Sequence, residues 1–258
     1  MIYVVISLTA LAASFLTFFS GFGLGTILMP VFALFVNLPT AIALTAIVHL
    51  LNNVFKLALV YKSINVKLAL KFGVPALIAS FAGASLLNLI NGEHLILFQY
   101  QLGEKIFFIN WQGLLIGFVV FVFSIVELNP KLSNLSFSTN WIIPGGILTG
   151  FFGGLSGHQG ALRSAFMLRL NLEKTTFIAT GVAIACLVDI ARLSVYSYNF
   201  KTLSDNYLIL VIAIASAFSG AIIGNNVFKK TSINFLKFTV GIFMLVVSLL
   251  IMCGIINK

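Results

Sequence analysis

The chain has 258 residues, 60% of them hydrophobic and only 8% charged, with a mean hydropathy of +1.12 and a formal net charge of +9. An ordinary soluble domain carries about 25% charged residues, so a fold surrounded by water could not hide this much apolar surface, and lipid is the solvent that fits. The basic residues lie between apolar runs, as topogenic charges do; no RNP, zinc-finger or helix-turn-helix signature accompanies them, and nucleic acid is excluded as a partner.

Apolar runs of 18 or more residues recur along the chain, as spanning helices require. The short alternation of barrel strands is missing, so an all-α integral membrane protein is expected. Met1 to Phe19 is apolar with no basic residue before it, which predicts a retained first helix instead of a cleaved signal. In chain order the pattern predicts a broken element over 2–20 and 26–37, then helices over 40–61, 67–90 and 107–127. After a polar linker, a second broken element is predicted over 140–152 and 160–170, then helices over 175–198, 206–227 and 234–256. Counted simply, these are eight transmembrane helices.

The two sets are internally similar. Phe18-Phe19-Ser20-Gly21-Phe22-Gly23-Leu24-Gly25 resembles the stretch from Phe151 to Gly160, Phe81 to Ala84 matches Phe218 to Ala221, and Gly117 to Ser124 matches Gly241 to Ser248. Three matches in the same order predict a tandem repeat: residues 1–128, a linker 129–139, and residues 140–258. Asn91 to Asn110 is an insertion in the first half.

Segments 26–37 and 160–170 are too short to span about 30 Å at 1.5 Å per residue. If each broken element is a re-entrant hairpin, three crossings follow in each half and the repeats are inverted. Lys62, Lys67, Lys71, Lys131, Arg169, Lys174, Lys229, Lys230 and Lys237 then share one side, against Lys105, Lys201 and Lys258 on the other. That bias makes the first side cytoplasmic and puts both termini outside.

Helices interrupted at matching positions of inverted repeats point to a transporter's binding site. A half-helix that starts at depth offers unpaired N–H groups and a positive dipole end to an anion. Gly21, Phe22, Gly23 and Gly25 in the first break, and Ser156, Gly157, His158 and Gln159 in the second, are therefore candidate substrate-binding residues. The amides of Gly23 and Gly157 are expected to face the ligand. The glycines cluster within the breaks, and GxxxG packing is the competing reading. Arg163, one turn on, can fork onto two oxygens of an oxyanion, or snorkel to the headgroups. On the second helix Thr45, His49, Asn52, Asn53 and Lys56 share one face, which lines a path or bonds neighbouring helices. Asp189 and Arg192 are expected to pair at i, i+3.

The break Gly21-Phe22-Gly23-Leu24-Gly25 followed by Pro30, the break from Gly154 to Gly160, and the Phe-x-Gly-Ala segments together resemble the TauE/SafE sulfite exporter family, also called toluene sulfonate uptake permeases. The resemblance covers nearly the whole chain, although the proline expected after the second break is absent, with Ala165 near that place. It implies a multi-pass carrier of the bacterial inner membrane for sulfite, sulfonates or related anions.

The expected partners are the small anionic substrate, the lipid bilayer, a coupling proton or ion, and a second copy of the chain. His49 and His158 are the candidate proton carriers. Cys186 and Cys253 lie in apolar stretches without a CxxC pair or ligand cluster, so neither metal nor cofactor is expected, and no Walker motif supplies ATP chemistry. Two other readings compete. One is a non-transporting membrane scaffold or assembly factor. The other is an intramembrane serine hydrolase, because Gly154-Leu155-Ser156-Gly157 resembles the GxSG turn of rhomboid proteases; no histidine follows His158 on a later helix to serve as base.

Overall fold

The computed structural model describes residues 1–17, 24–90, 96–133, 135–196, 205–227 and 233–256. In chain order these form α1 (Ile2–Thr17), α2 (Leu24–Ala33), α3 (Leu38–Val60), α4 (Val66–Leu89), β1 (Ile96–Leu102), β2 (Lys105–Asn110) and α5 (Trp111–Leu128). The short α6 (Pro130–Ser133) leads to α7 (Ile142–Ser156), α8 (Gly160–Met167), α9 (Lys174–Tyr196), α10 (Tyr207–Val227) and α11 (Ile233–Met252). Five helices among the described residues are long and apolar enough to cross a bilayer.

Asparagine sets the start of three long helices. The side-chain oxygens of Asn37, Asn65 and Asn110 accept from the amides of Thr40, Leu68 and Gly113 at 3.0, 3.0 and 2.7 Å. Each cap satisfies an amide that the first turn cannot, at a gain of about 1 kcal/mol.

The all-α membrane expectation holds for the helices, and the insertion adds one hairpin. Within the insertion, β1 and β2 pair antiparallel, and Gly103 makes the turn with φ of +64° and open space around it. The segment Ile96 to Leu102 is rich in β-branched and aromatic residues, and the helix predicted from 107 begins only at Trp111. The hairpin sits against the end of α11: Tyr100 Oη donates to the Cys253 carbonyl at 2.8 Å.

The second broken element folds back on itself. Arg169 Nε, just past α8, donates to Ser136 Oγ at 2.9 Å, and the Phe137 amide to the Ala165 carbonyl at 3.1 Å. The chain after α8 therefore returns to the end where α7 starts. Phe166 of α8 stacks on Phe137 at 4.4 Å between centroids, and no side chain at Gly145 could fit beside its ring.

The packing is reciprocal between the parts of the chain before and after the linker. α4 lies chiefly on α7 and α1 on α10, while α5 packs on α11 and α3 on α9. The α5–α11 contact is antiparallel: Gly117 meets Met252, and Gly241 meets Leu128. α3 and α9 also run antiparallel, with Leu57 and Leu50 over Ile178, Val182 and Cys186.

Backbone approach explains the closest of these contacts. Gly146, Gly150 and Gly154, at GxxxG spacing on α7, lie against the carbonyls of Phe72, Ala76 and Ser80 on α4. For Gly154 the packing reading of the break glycines applies. Without a hydrophobic force between helices in lipid, such close approach supplies the dispersion contact that holds them. Gly150→Leu would place a side chain where the Ala76 carbonyl stands. It should destabilise the protein by at least the ~1–3 kcal/mol of an overpacked core, read as a lower thermal midpoint in detergent; a midpoint unchanged from wild type would show that the α4–α7 seam is loose.

Candidate functional site

A cavity opens between α3, α8 and α9, near the ends of the two breaks. Its lining includes Thr17 and Leu24, which bracket the first break, with His49, Asn53 and Lys56 of α3. Arg163 of α8 and Phe177, Ile178, Gly181 and Val182 of α9 complete it. Its empty space, mouth included, is about 420 Å³. Lys56 and Arg163 are cations, and no carboxylate belongs to the lining among the described residues.

The polar face of α3 is turned inward, since Thr45, His49, Asn52, Asn53 and Lys56 are all buried. Asn52 serves Lys56 from the previous turn. With its amide nitrogen toward the Ala217 carbonyl (3.3 Å) and Ser14 Oγ (3.0 Å), its oxygen accepts from Lys56 Nζ at 3.2 Å. That orientation satisfies both ends of the amide. Asn52 thus positions a cavity cation without lining the cavity.

Asp189 of α9 is the hub beneath the cavity. Its Oδ1 accepts from Arg192 Nε at 3.0 Å and from Gln159 Nε2 at 3.0 Å. Its Oδ2 lies 2.6 Å from His49 Nδ1. Asp189 and Arg192 are both 0% exposed, and the expected i, i+3 pair forms at 2.9 Å. Arg163 Nη1 in turn donates to Gln159 Oε1 at 3.3 Å. One carboxylate therefore neutralises Arg192 and orients His49 and Gln159, and Gln159 holds Arg163. Two basic side chains, Arg163 and Lys56, stand at the cavity wall. Arg163 is buried in this network, so the headgroup reading of its side chain does not fit.

The second break is closed by its own backbone. Gly157 caps α7 with φ of +82°, a left-handed conformation that glycine adopts freely. Its amide donates to the Gly153 carbonyl at 3.0 Å, so the amide expected to face a ligand is occupied. A side chain at 157 would also come within 2.8 Å of Arg192 Nη1. Gly25, at the start of α2, comes close to the same place: a Cβ there would lie 3.5 Å from the Gly157 carbonyl and 3.7 Å from His49 Cδ2. The ends of the two breaks thus meet beside α3. Gly21, Phe22 and Gly23 lie outside the described residues.

Ser156 and His158 are set apart from the cavity. Ser156 is buried and its hydroxyl donates to the Phe152 carbonyl at 3.1 Å. His158 Nδ1 lies 3.1 Å from both the carbonyl and Oγ of Ser156, and its ring stacks on Phe123 at 5.5 Å. A serine–histidine contact therefore exists, but neither residue lines the cavity, and the serine proton is already committed to a carbonyl.

The sequence pattern does not single out the α9 wall. Its one signal is Gly181, a glycine inside a long helix. A Cβ there would stand 3.3 Å from Arg163 Nε, so Arg163 lies close against α9 at Gly181, and a side chain there would press on it.

The five long apolar helices and their buried polar interior are those of a multi-pass membrane protein. The chain belongs to the sulfite exporter TauE/SafE family, whose family model it matches over residues 6–251. No curated protein and no solved structure matches it.

Asp189→Asn leaves Arg192 buried without its countercharge, and breaking such a pair costs about 3–5 kcal/mol. Chemical unfolding of the purified variant should show that loss. The double variant Asp189→Leu with Arg192→Met should recover much of it, since an apolar pair of similar volume carries no desolvation cost. A double variant no more stable than Asp189→Asn would mean that charge compensation is not what the pair supplies.

Proposed function

We propose that this chain is a secondary active transporter that carries a small sulfur-containing anion, sulfite or an organosulfonate, across the bacterial inner membrane. The observation that carries this reading is the cavity's charge: Lys56 and Arg163 line it, no carboxylate lines it among the described residues, and Asp189 is matched by Arg192. A desolvated oxyanion needs such compensation. Arg163 supplies a fork, Lys56 a point charge, and Asn53 an amide donor. Membership of the sulfite exporter family supports the sulfur chemistry.

Alternating access would use two inverted repeats, residues 1–128 and 140–258 joined by 129–139. Three contacts support this arrangement. Matching helices α5 and α11 pack antiparallel through matching residues, Gly117 on Met252 and Gly241 on Leu128. Only a two-fold axis lying across the helices, in the plane of the membrane, relates antiparallel partners in that way. The Arg169–Ser136 bond returns the second broken element to its starting side. The Tyr100–Cys253 bond puts the α4–α5 connection and the end of α11 on one side, whereas simple eight-helix counting puts them on opposite sides.

A thermal-shift and proteoliposome uptake screen of sulfite, thiosulfate, sulfoacetate, taurine and sulfate tests the substrate class. Arg163→Ala should weaken binding of the best anion by about tenfold to a hundredfold, the equivalent of a charge-assisted hydrogen bond of about 1.5–3 kcal/mol. Arg163→Lys should fall between, keeping the charge and losing the fork. Wild-type affinity in Arg163→Ala, at wild-type thermal stability, would remove Arg163 from the site.

Reporter insertions test the topology. Gly103 sits in an open turn, so an insertion there should be tolerated and report the periplasm, as should a fusion after Lys258. A reporter at Lys131 should report the cytoplasm. Opposite locations for Gly103 and Lys258 would overturn the inverted arrangement.

A further inference from the structure

We infer that His49 is the binding site for a coupling proton, taken up at Nε2 together with the anion; this deepens the transport reading and rests on it. Of the two candidate proton carriers, the structure separates one from the other by position. His49 belongs both to the cavity wall and to the Asp189 hub. His158 lies outside the cavity, stacked on Phe123.

The chemistry follows from one bond. His49 Nδ1 lies 2.6 Å from Asp189 Oδ2, and a carboxylate there keeps the Nδ1 proton in place. Nε2 is then the nitrogen that keeps a lone pair, held only by the long 3.4 Å contact from Asn53 Nδ2, and a proton arriving there displaces that contact and makes the ring an imidazolium. The Asp189 carboxylate stabilises that charge through Nδ1–H, and the ring adds a positive charge to a wall that already carries Lys56 and Arg163. Anion and proton therefore each favour the binding of the other, and the coupling is reciprocal. Without the anion, a third cation beside Lys56 and Arg163 is disfavoured by like-charge repulsion. The proton thus boards with its partner and leaves when the anion leaves.

The groups that act on His49 can be named element by element. Lys56 lies two turns on along α3, with Asn53 one turn away, its Nδ2 3.1 Å from Nδ1 and 3.4 Å from Nε2 and donating to Asp189 Oδ2 at 3.4 Å. α9 supplies Asp189 and Arg192, with Cys186 one turn before Asp189. α8 supplies Arg163. α2 has no titratable residue, α10 has only Tyr207 at its first position, and Tyr61 and Lys62 follow the far end of α3. Asp189 is thus the single carboxylate acting on the ring among the described residues.

The test is binding calorimetry of the purified protein in two buffers of different ionisation enthalpy, which counts protons taken up per anion. Thiosulfate and sulfate are the first probes, because their charge does not change near neutral pH. For sulfite, which titrates there itself, the difference between wild type and His49→Gln isolates the protein's share. Wild type should take up protons on binding, and its affinity should fall by up to about tenfold per pH unit as pH rises. His49→Gln, at wild-type thermal stability, should bind with a pH-independent affinity and no uptake. In proteoliposomes, a proton gradient should drive accumulation by wild type, and His49→Gln should only exchange anion downhill. Wild-type binding without proton uptake overturns the inference whatever the variant does, as does full uptake in His49→Gln, and in both cases anion transport still stands. If wild type binds none of the sulfur oxyanions, the transport reading itself falls.

Discussion

The site depends on one buried carboxylate. Asp189 sits inside α9 with no exposure, and a lone charge there would be prohibitive. Arg192, one turn away on the same helix, removes that cost locally. The carboxylate's remaining bonding capacity then reaches outward, through Oδ2 to His49 on α3 and through Oδ1 to Gln159 in the break. Arg163 is placed in turn by Gln159. Three separate stretches of chain are thereby tied to one point, beside the cavity that Arg163 and Lys56 line.

Much of the scaffold was legible from hydropathy alone. The long helices fall where the apolar runs predict them, with α3, α4, α9 and α10 beginning or ending within two residues of the expected limits. The inward face of α3 was legible for a physical reason: polar side chains at i, i+4, i+7, i+8 and i+11 cannot all face lipid. The Asp189–Arg192 pair was legible from spacing, but its reach to His49 and Gln159 was not, because those bonds cross 140 and 30 residues of sequence. The hairpin in the insertion was lost because its strands are as apolar as a helix start. Gly103 between two aromatic-rich runs was the cue.

Glycine carries two different meanings in the second break, and sequence could not separate them. Gly146, Gly150 and Gly154 face the α4 backbone, and Gly157 turns the chain. The run Gly153-Gly154-Leu155-Ser156-Gly157 mixes both jobs within five residues. In this second break a side chain, Arg163, and not the Gly157 amide, presents positive charge to the cavity. Gly181 shows the same economy on α9, where a guanidinium lies close against the helix.

The exchange of broken helices across the linker also has a bearing on how the protein is made. α7 can meet α4 as soon as it emerges, since α4 is already in the bilayer by then. α1 cannot do the same. Its partner is α10, and the bond between Ser7 Oγ and Ser216 Oγ spans 209 residues. During synthesis the first helix must therefore wait in the bilayer, its small-residue face covered by lipid or by a helper, until nearly the whole chain has been inserted. Contacts of such long range are slow to close, which puts the docking of α1 among the late steps of folding. Chains stalled before α10 would carry a finished α4–α7 seam and an orphaned first helix, the form that a membrane quality-control protease would meet.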